Sequence, residues 1–228
     1  MPDPDDKLMG ALAEFAAGAG HEINNPLAII SGHAQVLLSS AESPDQRRRL
    51  ASIISQTKRA YEMIADIRLF GSPPEPSPET FNLKKFLDRL AADCADPDAE
   101  FPACLSINYD ESSVPEEICF DRRILRMVFD ALIRNAFEAV APQEALIQIT
   151  VSSDAESPQC RITVTDNGPG IPPEIRPRVF LPYYSGRNAG RGLGFGRPRS
   201  WALMKRTGGK LSLDNDGFVI VLPLSKHE

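Results

Sequence analysis

From Leu8 to Leu38 the apolar residues Leu12, Phe15, Ala19, Ile23, Leu27, Ile30, Ala34 and Leu37 recur in steps of three and four. That spacing keeps them on one side of an α-helix, so the chain is expected to open with a single long amphipathic helix. Ser43, Pro44 and Asp45 then mark a turn. A second stripe, Leu50, Ile53, Ile54, Thr57, Tyr61, Ile64 and Ile67, runs to Gly71. Glycine tolerates the left-handed backbone that ends many helices, which makes Gly71 the expected stop. Two helices alone cannot bury both stripes around a core. The hairpin therefore predicts a partner, most simply a second copy, and a homodimeric four-helix bundle.

Ser72 to Thr80, SPPEPSPET, holds four prolines and no apolar residue, the composition of an extended linker. It divides the chain into a helical hairpin at 1–71, a linker at 72–80 and a second domain at 81–228. Beyond it the pattern predicts a short helix near Phe81 to Ala92, strands at Ala103 to Tyr109 and Glu117 to Phe120, and a helix capped by Asp121. Ile147, Ile149 and Val151, then Ile162 and Val164, alternate with polar residues, so a sheet with one buried face is expected. Phe218 to Leu222 follows the turn Asp214 to Gly217 and closes a hairpin. The fold class is thus a helical hairpin followed by an α/β sandwich domain.

Composition narrows the function classes. A net charge of −6 argues against nucleic acid or an anionic membrane surface as the main partner, since both reward excess Lys and Arg. No apolar run approaches the roughly 20 residues that span a bilayer, and the start MPDPDDKLMG lacks the features of a signal peptide. A cytoplasmic location is expected. Cys94, Cys104, Cys119 and Cys160 form no CxxC pair, so metal or redox chemistry is not expected of them.

Four segments could carry chemistry. At 100° per residue His21 lies about 200° from Ile23, away from the apolar stripe, with Glu22 beside it and Asn25 one turn further along the same face. Pro26 follows inside the helix, where a missing N–H costs roughly 3 kcal/mol, a fault that calls for a reason. A carboxylate beside an imidazole can hold one nitrogen's proton and leave the other as a neutral nucleophile. Asp166-Asn167-Gly168-Pro169-Gly170 follows a strand, and a carboxylate there can accept from an exocyclic amine while the glycines let backbone approach a flat ring. Gly190-Arg191-Gly192-Leu193-Gly194-Phe195-Gly196 precedes a helix whose N-terminal N–H groups could bind phosphate. It lacks the Gly-Lys-Ser/Thr ending of a P-loop and the preceding strand of a dinucleotide fingerprint. Asn135 sits at the edge of an apolar helix face, where its amide needs a partner.

Taken in order, these segments resemble the boxes of sensor histidine kinases. HEINNPL (His21 to Leu27) resembles the phosphoacceptor box, LIRNAFEA (Leu132 to Ala139) the N box, DNGPG the first glycine box, FLPYYSG (Phe180 to Gly186) the F box and GRGLGFG the second glycine box. The resemblance covers nearly the whole chain. It implies a dimerisation and phosphoacceptor hairpin joined to a gyrase-like ATP-binding domain, with ATP and Mg²⁺ as cofactors. His21 would take the γ-phosphoryl group, Glu22 would act as base and Asn135 would ligate Mg²⁺. Asp166 would recognise adenine, Gly168 and Gly170 would shape its pocket, and Gly190, Gly192 and Gly194 would form the base of a lid. Arg187 would contact phosphate, and Asn25 would orient a water for removing phosphate from the partner.

Two departures accompany the resemblance. Ala131 stands where relatives carry a second amide, and the lid between Gly186 and Gly190 is short. Phosphoryl transfer from ATP to His21 and on to an aspartate of a response regulator is the expected reaction. The departures keep open a degenerate kinase that relays or removes phosphate without productive ATP chemistry. A gyrase-like ATPase is a third reading, against which HEINNPL on a dimerising helix argues. About seven residues precede the first stripe, too few for a sensory domain, so the input is expected from a partner or from chain absent here.

Overall fold

The computed structural model describes residues 4–99, 101–109, 114–140, 144–153, 158–181, 194–214 and 217–224, with only the backbone of 4–17, 19, 21 and 71. The chain divides into two compact units, Met1–Pro74 with Arg187–Phe195, and Glu75–Gly186 with Gly196–Glu228.

The first unit is built on two helices, α1 (Pro4–Ser39) and α2 (Pro44–Gly71). Ser43 belongs to the second of these: its hydroxyl accepts from the Gln46 N–H at 3.1 Å and Pro44 occupies the first turn, an N-cap arrangement that satisfies an otherwise orphaned donor. Gly71 is not the left-handed stop that the sequence suggested. The helix runs through it, and Ser72, at φ −133°, ends it by donating its N–H to the Arg68 carbonyl at 2.8 Å.

The apolar stripe of α1 splits into two columns. Gly20 and Ala34 are buried and Leu27 half-buried toward α2, and a methyl added at Gly20 would lie 3.4 Å from Ile64 Cγ2. Ile23, Ile30 and Leu37 remain 44%, 47% and 56% exposed. Seven residues advance a helix by almost two full turns, so these three form one continuous column.

The second unit packs helices on one face of a mixed sheet. A short strand β1 (Glu79–Asn82) starts within the segment read as linker, and pairs antiparallel with β3 (Glu117–Phe120). It displaces the start of the predicted helix near Phe81: α3 is Leu83–Ala95, capped by Asn82, whose Oδ1 accepts from the Lys85 N–H at 2.8 Å. Residues ahead of β1 are also tied to this unit. The Ser77 N–H donates to Asp121 at 2.8 Å, and Glu75 pairs with Arg206 at 2.7 Å.

Five strands form the main sheet in the order β2 (Cys104–Tyr109), β4 (Leu146–Ser153), β5 (Gln159–Asp166), β7 (Phe218–Pro223) and β6 (Lys210–Leu213). Among the described residues only the β2–β4 pair is parallel. Ile147, Ile149, Val151, Ile162 and Val164 point inward, as their alternation required, and meet Leu87 and Leu90 of α3, Leu125, Val128, Phe129 and Leu132 of α4 (Arg122–Val140), and Met204 of α5 (Gly196–Arg206) in one core.

Asp121 anchors α4 as expected. It is buried, and its carboxylate accepts from the N–H groups of Arg123 and Ile124 at 3.0 and 3.2 Å and from the Arg123 guanidinium at 3.1 Å. Burial alone would raise its pKa, but the Ser77 N–H, the Arg123 guanidinium and the Ile124 N–H together hold it below the ordinary carboxylate value.

Candidate functional site: a phosphoacceptor turn and a nucleotide loop

The first unit carries the turn around His21. His21 lies in α1, and its side chain is outside the described residues. Glu22 and Asn25 are exposed. Pro26 sits inside the helix, which continues past it for more than three turns. The turn is fastened to α2 by a contact the sequence did not advertise: the Tyr61 hydroxyl donates to the Asn24 carbonyl at 3.0 Å. Tyr61 read as one more apolar residue in the second stripe, and only the packing of the two helices shows its polar end at work.

The second unit carries the nucleotide loop. Asp166 is the last residue of β5 and is exposed. The Gly168 N–H donates to Asp166 Oδ1 at 2.8 Å, so one carboxylate oxygen is held while the other stays available. A methyl added at Gly168 would lie 2.6 Å from that same oxygen and 3.2 Å from Ala139 Cβ. Any larger residue here would therefore push that carboxylate away. Gly170 is required by its backbone, at φ +74°, where a side chain is strained.

Asn135 and this loop share α4. Asn135 is half-buried between the buried Leu132 and Ala136, as expected from the helical spacing. Ala139, which touches the loop at Gly168, is one helical turn beyond it, a rise of about 6 Å. The folding of β5 against α4 thus brings the carboxylate and the amide to one region. Gly194, at φ +70°, leads into α5. Arg187, Gly190 and Gly192, and most of the FLPYYSG segment, lie outside the described residues.

Among the described residues no group of three or more His, Cys, Asp or Glu side chains gathers to hold a metal. Asn135 carries the one side-chain amide of α4. At Ala131, one turn earlier, a methyl is packed into the core, so no second amide is offered there. None of the helices among the described residues is long and apolar enough to cross a membrane.

The sequence agrees with known families in the same two parts. Residues 11–75 match the model of the His Kinase A (phospho-acceptor) domain, and residues 120–226 that of the histidine kinase-, DNA gyrase B-, and HSP90-like ATPases. The chain is similar to the sensory histidine kinase/phosphatase NtrB of Salmonella typhimurium, 30% identical over 229 residues that cover 95% of this chain and 63% of that protein. It is 27% identical to sporulation kinase C of Bacillus subtilis, over 96% of this chain and 51% of that one. The chain thus spans a little under two thirds of the first of these relatives and half of the second.

Solved structures repeat the fold. Full-length ShkA in complex with AMPPNP superposes with a TM-score of 0.75 at 22% identity, covering 94% of this chain and 46% of that one. Histidine kinase ThkA in complex with the response regulator protein TrrA gives 0.63 at 22% identity, covering 96% and 64%. With a phosphoacceptor domain, an ATPase domain and a shared fold all in the order the motifs required, the chain belongs to the sensor histidine kinases.

Proposed function

We propose that this chain phosphorylates its own His21 with ATP and passes the phosphoryl group to an aspartate of a response-regulator receiver domain. The observation that carries the reading is the arrangement of Asp166. Its carboxylate is set by the Gly168 N–H at 2.8 Å, and Gly168 lies beside Ala139 and Val140 of the helix that bears Asn135, in a chain whose first helix carries His21 beside an exposed carboxylate.

In this reading the free oxygen of Asp166 accepts from the adenine amine, and Gly168 and Gly170 leave room for the ring. Gly190, Gly192 and Gly194 would form the base of a lid near the phosphates, which Arg187 would contact. Asn135 would hold a Mg²⁺ brought with the nucleotide, and that ion would supply neutralising charge in a γ-phosphoryl transfer where positioning and electrostatics do most of the catalysis. Glu22 holds the proton of one imidazole nitrogen of His21; the other attacks the γ-phosphorus, the bond to the β-phosphate oxygen breaks and ADP leaves. Asn25, exposed one turn on, orients water in the reverse task of removing phosphate from the regulator. The need for ATP favours a cytoplasmic location.

The exposed column Ile23, Ile30 and Leu37 supports a homodimer, because burying the remaining half of each side chain against a second copy recovers about 0.7 to 1.5 kcal/mol each. The packed methyl of Ala131 favours, as a second reading, a kinase with weakened metal binding that acts on its regulator as a phosphatase or relay. Incubation with Mg²⁺ and γ-labelled ATP decides between them. The first reading expects acid-labile, base-stable label that is lost in His21→Ala and moves to an added receiver domain. Absence of label, with measurable ATP binding and loss of phosphate from a phosphorylated receiver, would establish the second. Steady ATP hydrolysis without label would overturn both.

A further inference from the structure

We propose that Asn167 is the positioning residue that fixes Asp166 for recognition of the adenine amine and so sets the preference of this site for adenine nucleotides. The inference rests on the reading of Asp166 given above.

Asp166 ends β5 and is exposed, so the core does not fix its side chain. The hydrogen bond from the Gly168 N–H to its Oδ1 is local to the turn, and such a turn can swing as one piece about the end of the strand. Asn167 ties that piece down. Its Nδ2 donates to the Glu144 carbonyl at 3.1 Å, its Oδ1 accepts from the Leu146 N–H at 3.0 Å, and its backbone N–H donates to the Leu146 carbonyl at 3.2 Å. The three bonds bracket Ala145, which is fully buried and whose carbonyl accepts from the Cys104 N–H at 2.9 Å. Through Asn167 the loop is thus fastened to the first residues of β4 and, through them, to β2.

The other flank of the loop is fixed by packing, with Gly168 against Ala139 and Val140 of α4. The turn that carries the carboxylate is thus held on both flanks, by helix and by strand. An N–H···O bond tolerates about half an ångström in length, so recognition of an amine by one free carboxylate oxygen depends on where that turn is held. Alanine at 167 keeps the backbone bond and removes both side-chain bonds. A purely structural role would weaken binding of every nucleotide alike. A positioning role strikes the nucleotide that carries the amine.

The test measures equilibrium binding of ATP and of inosine triphosphate, which bears a carbonyl in place of the amine, to the full chain with Mg²⁺. Asn167→Ala is expected to weaken ATP about tenfold and inosine triphosphate by less than about twofold, so that the ratio falls. Asn167→Asp keeps the acceptor for Leu146 and loses the donor to Glu144, and its ratio is expected to lie between. If Asn167→Ala is not folded at the assay temperature, the Asp variant carries the test. Equal weakening of both nucleotides overturns the proposal, as does an unchanged ratio where Asp166→Ala abolishes the preference. An unchanged ratio in Asp166→Ala overturns the adenine reading itself.

Discussion

Gly168→Ala separates nucleotide binding from folding. The added methyl would lie 2.6 Å from Asp166 Oδ1, whereas ordinary contact begins at 3.4 Å, so the carboxylate must retreat by about 0.8 Å. Asp166 is an exposed side chain and can move at little steric cost, and Gly168 is not held at positive φ, so the backbone accepts alanine. The retreat breaks the 2.8 Å bond from the Gly168 N–H and exceeds the half-ångström range of a good hydrogen bond to the adenine amine. A hydrogen bond to a charged group contributes about 1.5 to 3 kcal/mol, which corresponds to roughly 10- to 150-fold in affinity. The methyl would also lie 3.2 Å from Ala139 Cβ, a contact that must give by a few tenths of an ångström, and against that cost alanine removes about 0.4 to 1 kcal/mol of unfolded-chain entropy. Calorimetric titration with ATP and a thermal melt of the same sample give both quantities. ATP bound within about twofold of wild type, or a melting loss that accounts for the weakened binding, would refute the reasoning.

Asp121→Ala removes the cap of α4, worth about 1 kcal/mol, and a charged bond to the Ser77 N–H, worth about 1.5 to 3 kcal/mol. A fall in melting temperature of roughly 6 to 12 °C follows at neutral pH. Because the folded carboxyl sits below its ordinary value of 3.8, its contribution is complete above that pH and disappears as pH falls through the folded value, so urea midpoints of wild type and variant should converge in acid. Tyr61→Phe removes the bond to the Asn24 carbonyl and should lower stability by about 1 kcal/mol in urea titration. Leu37→Asp puts a charge into the exposed column of α1 and should raise the dimer dissociation constant at least about tenfold in sedimentation equilibrium.

The elements with strong periodicity were legible in the sequence, and those decided by one contact were not. The two long helices, β3, and α4 with its Asp121 cap stand close to where spacing and capping chemistry put them. β1 is four residues long and follows four prolines, too short for alternation to register, and its pairing with β3 displaced the predicted helix start. Ile23, Leu27, Ile30 and Ala34 read as one stripe because steps of three and four span a wide arc; only packing against α2 separated the buried column from the exposed one. Within the site, the motif pointed to Asp166 and its glycines. Asn167 escaped because its partners, Glu144 and Leu146, lie more than twenty residues away, although an Asn in a turn after a strand is a residue type that bonds to nearby backbone.

The most direct test is to locate the phosphoryl group itself. After brief reaction with ATP and Mg²⁺, digestion and peptide mapping at neutral pH should place it on an imidazole nitrogen of His21, in the peptide that also holds Glu22 and Asn25. Phosphate found instead on the exposed His33, or on a hydroxyl or carboxylate elsewhere, would contradict the assignment of α1 as the phosphoacceptor.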